Sequence, residues 1–578
     1  MITSSPRPSL STFPLRSFVR SIDETKIARA SVRASSSPLT PHRPSPSRAS
    51  HRRLLKGDAS SPAPSPQLLR ALVPVLFPSI LRGLLDSVEK VREKCAQLVA
   101  DVLDALPDPM VGPDGDVRDG WDGRDGDDGE GATAVALPSL LPAMVKIVGT
   151  APVEEPSEEI RLSCVELTTR AVMRATTIAG GNASGEKTAT TSTLLLPFAE
   201  DVAAVVHASS GDQFHDVKRA CAALVEAIAR ATPRGALPPA SAMKMLKATL
   251  ANARHRHSSV RLAVVAAVDA LHRAGAVPDA AVPETLAPGT RPLCADRAPA
   301  VRAAFHKALA GWMTTSSGGG GEGVGRGGGG GERRGDHRDC GKVPPGLVDV
   351  ETTADADDDA VKRGCALPRA RWLLPMLLTG VADETEANGV AALELVRVVG
   401  EANDAALGIG GLGGEGASDE AGVDDRTARV LPPPFAGAPP PGARRLVRAL
   451  LPSLLPLALR ETKEWTAAQR NAGARLLGTT LAFAQSEAAD ARYLSSVIAA
   501  LNAAVSDEDA DTAERVVGAA RILGAFVLLT LVPIRPRSRG ERRSLRTLLY
   551  FLSRRLFLSA HHASLTIPTR LDAFRFRF

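Results

Sequence analysis

The sequence predicts an all-α chain of stacked helix pairs, a solenoid interrupted by long polar loops. Three regularities carry that reading. An apolar pattern at helical spacing recurs along the chain, an acid and a base hold fixed positions around each copy, and a proline-bearing apolar stretch precedes each copy. Composition agrees with a folded body, since 44% of the 578 residues are hydrophobic and the length would allow about four ordinary domains or one long array.

The first copy is VEKVREKCAQLVADVL, in which Val91, Cys95, Leu98, Val99 and Val102 share one face of an amphipathic helix. Ile160, Cys164, Leu167 and Ala171 repeat it, followed by Val217, Cys221, Leu224, Val225 and Ile228. Val260, Val264, Ala267, Val268 and Leu271 make the fourth copy, and Val301, Phe305, Ala308, Leu309 and Trp312 the fifth. Three weaker copies start at Asn388, Gln469 and Thr512. Val91, Ile160, Val217, Val260 and Val301 are expected to line the core, with Cys95, Cys164 and Cys221 one turn further on. A cysteine at a repeating core position reads as a small hydrophobe rather than a nucleophile.

The second regularity uses a different residue class. Five positions before each start stand Asp86, Glu155, Asp212, His255, Asp296, Asp383, Glu464 and Asp507; one position after it stand Arg92, Arg161, Lys218, Arg261, Arg302, Gly389, Arg470 and Ala513. An acid in the turn between two helices can cap the second helix. A base in that helix's first turn sits against the dipole unless an anion is near. Turn acids and neighbouring bases are therefore expected to form a ladder, with Asp86, Arg92, Glu155, Arg161, Asp212, Lys218, Asp296 and Arg302 as its candidate members.

Ahead of each turn lies an apolar stretch such as LPSLLPAMVKIV, RWLLPMLLTGV or LVRALLPSLLPLAL, with proline near its start or one turn in, where a helix tolerates it or bends. The unit is thus helix, acidic turn, helix. Successive frame starts lie 69, 57, 43, 41, 87, 81 and 43 residues apart, and the short spacings match a HEAT/armadillo-like repeat of roughly 40 to 47 residues. The long spacings call for insertions, and Gly-, Pro-, Ser- or Asp-rich segments stand near 107–134, 178–192, 314–364 and 407–442. The expected organisation is a disordered Ser/Pro-rich tail over 1–66, a solenoid of about eight repeats over 67–534, and a second basic tail over 535–578 whose abrupt composition suggests a gene-model artefact.

Each tail, counted over 1–57 and 535–578, carries 11 Lys+Arg and 2 Asp+Glu, so the chain's net charge of +6 leaves residues 58–534 at −12. The folded body is acidic, and a basic nucleic-acid face is not expected. The longest apolar run, Ile522–Ile534, falls short of the roughly 20 residues that span a bilayer, so no membrane segment is expected either. Six cysteines without a CxxC pair are too sparse for a disulfide or zinc framework and fit a reducing compartment. A Ser/Arg-rich, acid-poor start is also the composition of an organellar transit peptide, which would make 1–60 a cleaved leader.

Chemical motifs are thin. GxGxxG occurs at Gly323, Gly325 and Gly328 and again at Gly408, Gly410 and Gly413, without the strand and helix a nucleotide fold requires. The acidic run 114–128 has Arg118 in a ligand position and lacks the closing glutamate of a calcium loop. Arg254, His255, Arg256 and His257 form a basic turn that reads either as solvated or as a docking point for an acidic partner. No nucleophile, base or paired-carboxylate arrangement is specified. No catalytic residue, metal site or cofactor is expected.

With the repeats in frame, the segments LRGLLDSVEKVREKCAQLV, VEEPSEEIRLSCVELTTRAV, DRAPAVRAAFHKALAGWM and LLPLALRETKEWTAAQRNAGARLLG resemble, in this order, the HEAT-repeat dynein axonemal assembly factors, the HEAT repeat-containing protein 2 family. The likeness runs from about residue 68 to 530, and the block EEPSEEIRL and the surroundings of Trp465 are its most specific parts. The resemblance implies a non-enzymatic cytoplasmic scaffold that helps preassemble dynein arms for motile cilia, with axonemal dynein chains, chaperones and other assembly factors as partners. A generic HEAT adaptor of the nuclear-transport or phosphatase-scaffold kind would use the same architecture.

Overall fold

The computed structural model of the chain describes residues 77–105, 132–151, 153–177, 193–315, 364–409 and 431–531. Among these residues every regular element is helical, and the fold is an all-α helical-repeat solenoid. Both basic tails, the expected calcium-like run, the first GxGxxG and the core of each expected insertion lie outside the described residues.

Eight helix pairs follow one another among the described residues. The second helices are α1 (Glu89–Ala105), α3 (Glu158–Thr177), α5 (His215–Ala231), α7 (Ser258–Arg273), α8 (Pro299–Thr314), α10 (Glu386–Ala406), α12 (Ala467–Ala484) and α14 (Ala510–Leu531). Their partners are the helical residues 77–83, then α2 (Ala132–Val148), α4 (Ala199–Ser210), α6 (Pro239–Leu250), α9 (Ala370–Val381), α11 (Pro441–Glu461) and α13 (Ala491–Ala504). In the fifth pair the first helix breaks into single turns, Val282–Leu286, Ala287–Thr290 and Arg291–Ala295. Pro283, Pro288 and Pro292 stand second in each turn, and each removes a backbone donor, so no continuous helix propagates.

The apolar frame explains why the helices pack as they do. Ile160, Cys164, Val217, Cys221, Val260 and Val301 are all buried, and Phe305 and Trp312 extend the same stripe on α8. Burying each such side chain is worth about 1.5–3 kcal/mol of transfer free energy, which is why the frame persists through eight copies. The first repeat differs from the expectation. Val91 and Cys95 are half-buried and Leu98 is 40% exposed, while Ala96, Val99 and Leu103 carry the burial. Among the described residues α1 meets another second helix on one side only, so its inward face turns toward α3 and the 77–83 helix.

Insertion boundaries also shift from those expected. Helix α2 takes in residues 132–134, and Thr314 still belongs to α8. The segment before α11 lies on the array, with Leu431 buried and Phe435 edge-on to Phe483 at 5.6 Å between ring centroids. Helix α11 starts at Pro441, so Pro452 and Pro456 fall well inside it rather than near its start; Leu450, Leu451, Leu454 and Leu455 around them are buried and hold the helix together.

Stacking is regular from α1 to α10: each second helix packs on the next one, α1 on α3, α3 on α5, α5 on α7, α7 on α8 and α8 on α10. After α10 the pattern changes. There α10 packs on α11 and α9 packs on α12, so first and second helices cross over. Two glycines allow this crossing, because a Cβ on Gly400 would collide with the backbone of Gly442 and Ala443, and one on Gly442 with Gly400 and Asp404.

Two buried imidazoles sit inside this packing. His306 lies against Gly380, where any side chain would overlap the ring, and His272 lies beside Trp312 at 5.9 Å between ring centroids. Both are almost fully buried, and neither ring nitrogen of either residue has a hydrogen-bond partner. Burial, with Arg302 and Arg475 adding to it against the pull of Asp383, depresses His306 to about 4. Burial, with Arg369 adding, depresses His272 to about 3. In the unfolded chain each imidazole takes a proton near pH 6.5, so between that pH and its folded value acid favours the unfolded state. Stability is therefore fully present above pH 6.5 and falls by about 1.4 kcal/mol per pH unit for each imidazole as the pH drops. Urea midpoints measured from pH 7.5 to 5.0 check this: the slope flattens in His306→Leu and His272→Leu variants, and an equal slope in wild type and variants contradicts neutral burial.

Candidate functional site

The turns between paired helices stand in a row along one edge of the array, and the row is organised by arginine. Each turn acid first fixes its own turn: Asp86 Oδ1 accepts the Val88 N–H at 2.8 Å, Glu155 Oε1 that of Ser157 at 2.9 Å, and Asp212 Oδ1 that of Phe214 at 2.8 Å. Asp296, Asp383 and Asp507 do the same for Ala298, Thr385 and Asp509. The acceptor bond thus goes to the residue two ahead, at the mouth of the helix, rather than to the free N–H groups of its first turn. It sets the turn that aims the helix.

The carboxylate's remaining capacity is taken by the arginine of the preceding repeat. Arg161 forks onto Asp212 through Nε at 2.6 Å and Nη2 at 3.1 Å, while its Nη1 donates to the carbonyls of Glu155 and Pro156 in its own turn. Arg261 forks in the same way onto Asp296, Arg302 onto Asp383 and Arg470 onto Asp507, while Arg92 donates Nη2 to Glu155 Oε1 with its Nε 2.8 Å from Oε2. One guanidinium therefore ties two turns together, a task that needs a planar fork with donors on both edges. These pairs are largely sequestered: Arg302 and Asp383 expose 5% and 1% of their side chains. Burial works against the Asp383 anion, but the Arg302 fork and the Thr385 N–H outweigh it and hold the carboxyl below its usual range.

Of the candidate ladder residues, Arg92, Glu155, Arg161, Asp212, Asp296 and Arg302 are brought into these pairs. Asp86 opens the row with its turn bond and offers its carbonyl to Arg92. Lys218 meets no carboxylate among the described residues, because the next turn presents His255 in place of an acid. Its charge instead helps hold the His255 imidazole below its usual pKa, after the larger effect of burial. The ladder has a second gap at Gly389, whose neighbours are the Val381 carbonyl and Pro434, so Glu464 has no arginine from the preceding repeat.

Three further ion pairs join parts of the array that the repeat frame does not relate: Arg369 with Asp279, Arg475 with Glu384, and Arg291 with Glu461. Sequence spacing gives no signal for them, since they span 90, 91 and 170 residues. The second helices also leave an open groove of about 730 Å³ between α3 and α5, floored by Leu162, Met173, Ala220 and Ala223 and edged by Arg170, Arg174 and Arg219. Met173 is 59% exposed there, and Trp465, next to Glu464 in the seventh turn, is 92% exposed. Large apolar side chains left in water on a charged edge are the material of protein contacts.

The chemistry of the remaining groups is structural. Burial pushes the Cys164 and Cys221 thiols up to about 12, away from thiolate reactivity. Among the described residues no group of three His, Cys, Asp or Glu could hold a metal ion, and no helix is long and apolar enough to cross a membrane.

A repeat array with a paired turn edge defines a helical-repeat protein by architecture. Two family models match this chain: one described as dynein axonemal assembly factor 5-like, TPR repeats, over residues 130–317, and one described as dynein axonemal assembly factor 5, HEAT-repeat domain, over residues 431–531. Together they cover half of it, and the chain belongs to the HEAT-repeat dynein axonemal assembly factors. The stretch matched by the TPR model recurs at 43 and 41 residues between Val217, Val260 and Val301, longer than the roughly 34-residue TPR unit. Among solved structures, an engineered protein is 12% identical, with 83% of this chain and 94% of that chain covered and a TM-score of 0.32. Importin beta crystallised in a polyethylene glycol condition is also 12% identical, with 86% and 56% covered and a TM-score of 0.29. No curated protein matches the chain.

The buried fork at Arg302 sets a stability test. Asp383→Ala leaves a buried guanidinium unpaired and destabilises the chain by about 3–5 kcal/mol. Arg302→Ala costs a similar amount, and the double variant costs clearly less than both losses together. Urea unfolding followed by tryptophan fluorescence reads all three; strict additivity would show that the two side chains do not act as a pair.

Proposed function

We propose that this chain is a non-enzymatic cytoplasmic scaffold for the preassembly of axonemal dynein arms, holding dynein chains beside chaperones and other assembly factors. The observation that carries this reading is the match of two models of one assembly-factor family, in order, to the helical array. The physical properties of the array support it. Stacked helix pairs present long, continuous faces to large partners, and residues 58–534, which with their insertions carry a net charge of −12, favour basic partner segments. The candidate groups with chemical potential, the turn carboxylates and the repeating cysteines, are occupied in holding the repeats together.

Mass spectrometry of proteins co-purified with the full chain, from cytoplasm of its own ciliated or flagellated cells during cilium regrowth, tests the reading. Axonemal dynein chains and chaperones are expected among the enriched proteins. Strong recovery of transport or phosphatase subunits with no dynein overturns it in favour of a generic adaptor. Imaging a chain tagged at each end in separate cells tests the location: both tags are expected in the cytoplasm, whereas loss of the amino-terminal tag together with organellar import of the other contradicts it.

A further inference from the structure

We propose that the fourth turn of the edge is a docking site for an acidic protein segment, whose aspartate or glutamate side chain fills the rung that the chain leaves open between Lys218 and His255. In five places along the edge a base in the first turn of a second helix receives a carboxylate from the next turn. At the fourth turn the backbone is built in the same way but the charge is missing. His255 Nδ1 accepts the His257 N–H at 3.2 Å, as the turn carboxylates accept theirs, and the His255 carbonyl accepts from Arg261 like its counterparts. The turn is therefore formed without an anion, and the Lys218 ammonium opposite has no carboxylate among the described residues.

The surroundings gather basic side chains at this gap, with Lys218, Arg254 and Arg256 as its cations. The His215 and His257 rings stack at 4.4 Å, His255 lies 5.5 Å from His257, and Arg256 Nε donates to His257 Nε2 at 3.1 Å. Arg254 and Arg256 are exposed, while Lys218 is half-buried beside the three imidazoles, where its charge acts more strongly than in open water. Asp216, the carboxylate beside the cluster, is held by Arg219 at 2.9 Å and lies 3.7 Å from His215 Nε2. Lys218, Arg254 and Arg256 have no carboxylate partner among the described residues, which calls for an anion from outside. The groove between α3 and α5 shares Asp216 and Arg219 with this cluster and is lined by Arg170 and Arg174 as well as Glu166.

The inference stands apart from the dynein reading, because its test uses a synthetic ligand and the purified full chain. A fluorescein-labelled twelve-residue peptide rich in Asp and Glu is titrated and followed by anisotropy, beside a DNA oligonucleotide of equal net charge and phosphatidylserine vesicles. Saturable peptide binding is expected, weakened about tenfold or more by His255→Asp, which supplies the missing carboxylate from within the chain. That variant keeps the turn bond to residue 257 and unfolds no earlier than wild type, so lost binding is not lost folding. Lys218→Gln, on a half-exposed position, weakens binding as well. No saturable peptide binding, binding undiminished by His255→Asp, or equally tight binding of the oligonucleotide or vesicles with the same loss in the variant each overturns the assignment.

Discussion

One arginine geometry holds the array in register. A guanidinium in the first turn of a second helix places Nε and Nη2 on the carboxylate of the next repeat and Nη1 on the carbonyls of its own turn. The first contact fixes the distance between repeats, and the second fixes where in its repeat the arginine stands. Hydrophobic burial between second helices is far larger in sum but has no direction, and helices could slide along one another at little loss of area. The buried fork penalises such sliding, because a displaced arginine leaves two charges desolvated and unpaired.

Much of this was legible in the chain and some of it was not, for physical reasons. Helical periodicity is local, so Val217, Cys221, Val225 and Ile228 announce their helix without reference to anything else. The turn acids and first-turn bases were visible as a register, and the need for an anion near a first-turn base was arguable from the dipole. The direction of pairing was not, since no spacing distinguishes a bond within a repeat from one between repeats. The half-buried state of Val91 and Cys95 was invisible because it follows from a neighbour on one side only. Arg369 with Asp279 and Arg475 with Glu384 depend on how distant turns converge, which no local pattern encodes. The cluster at the fourth turn was half legible: Arg254–His257 stood out, whereas His215 and Lys218 join it only through folding.

The two gaps in the ladder are unlike, and the difference is informative. At Gly389 a Cβ would stand 2.9 Å from the Val381 carbonyl oxygen, so the close backbone approach there favours glycine over arginine. Close by, α10 leaves the second-helix stack and crosses α11 at Gly400 and Gly442. A fork spanning that boundary would impose the regular spacing that the crossing abandons. Other contacts take over there, with Arg475 reaching Glu384 and Arg291 reaching Glu461. This gap belongs to the fold.

At Lys218 and His255 nothing of the kind happens. Helices α5 and α7 pack as closely as any pair in the array, and the turn bond, the carbonyl contact with Arg261 and the following rung to Asp296 are all in place. The stack pays no visible structural penalty for the missing carboxylate, because the apolar frame from Val217 to Ile228 and from Val260 to Leu271 holds the two helices together without it. The Lys218 ammonium, half-buried, is left without a carboxylate among the described residues. Scaffolds built from nearest-neighbour repeats can leave such a place open, since the stability lost at one rung is confined to the two repeats it would have joined.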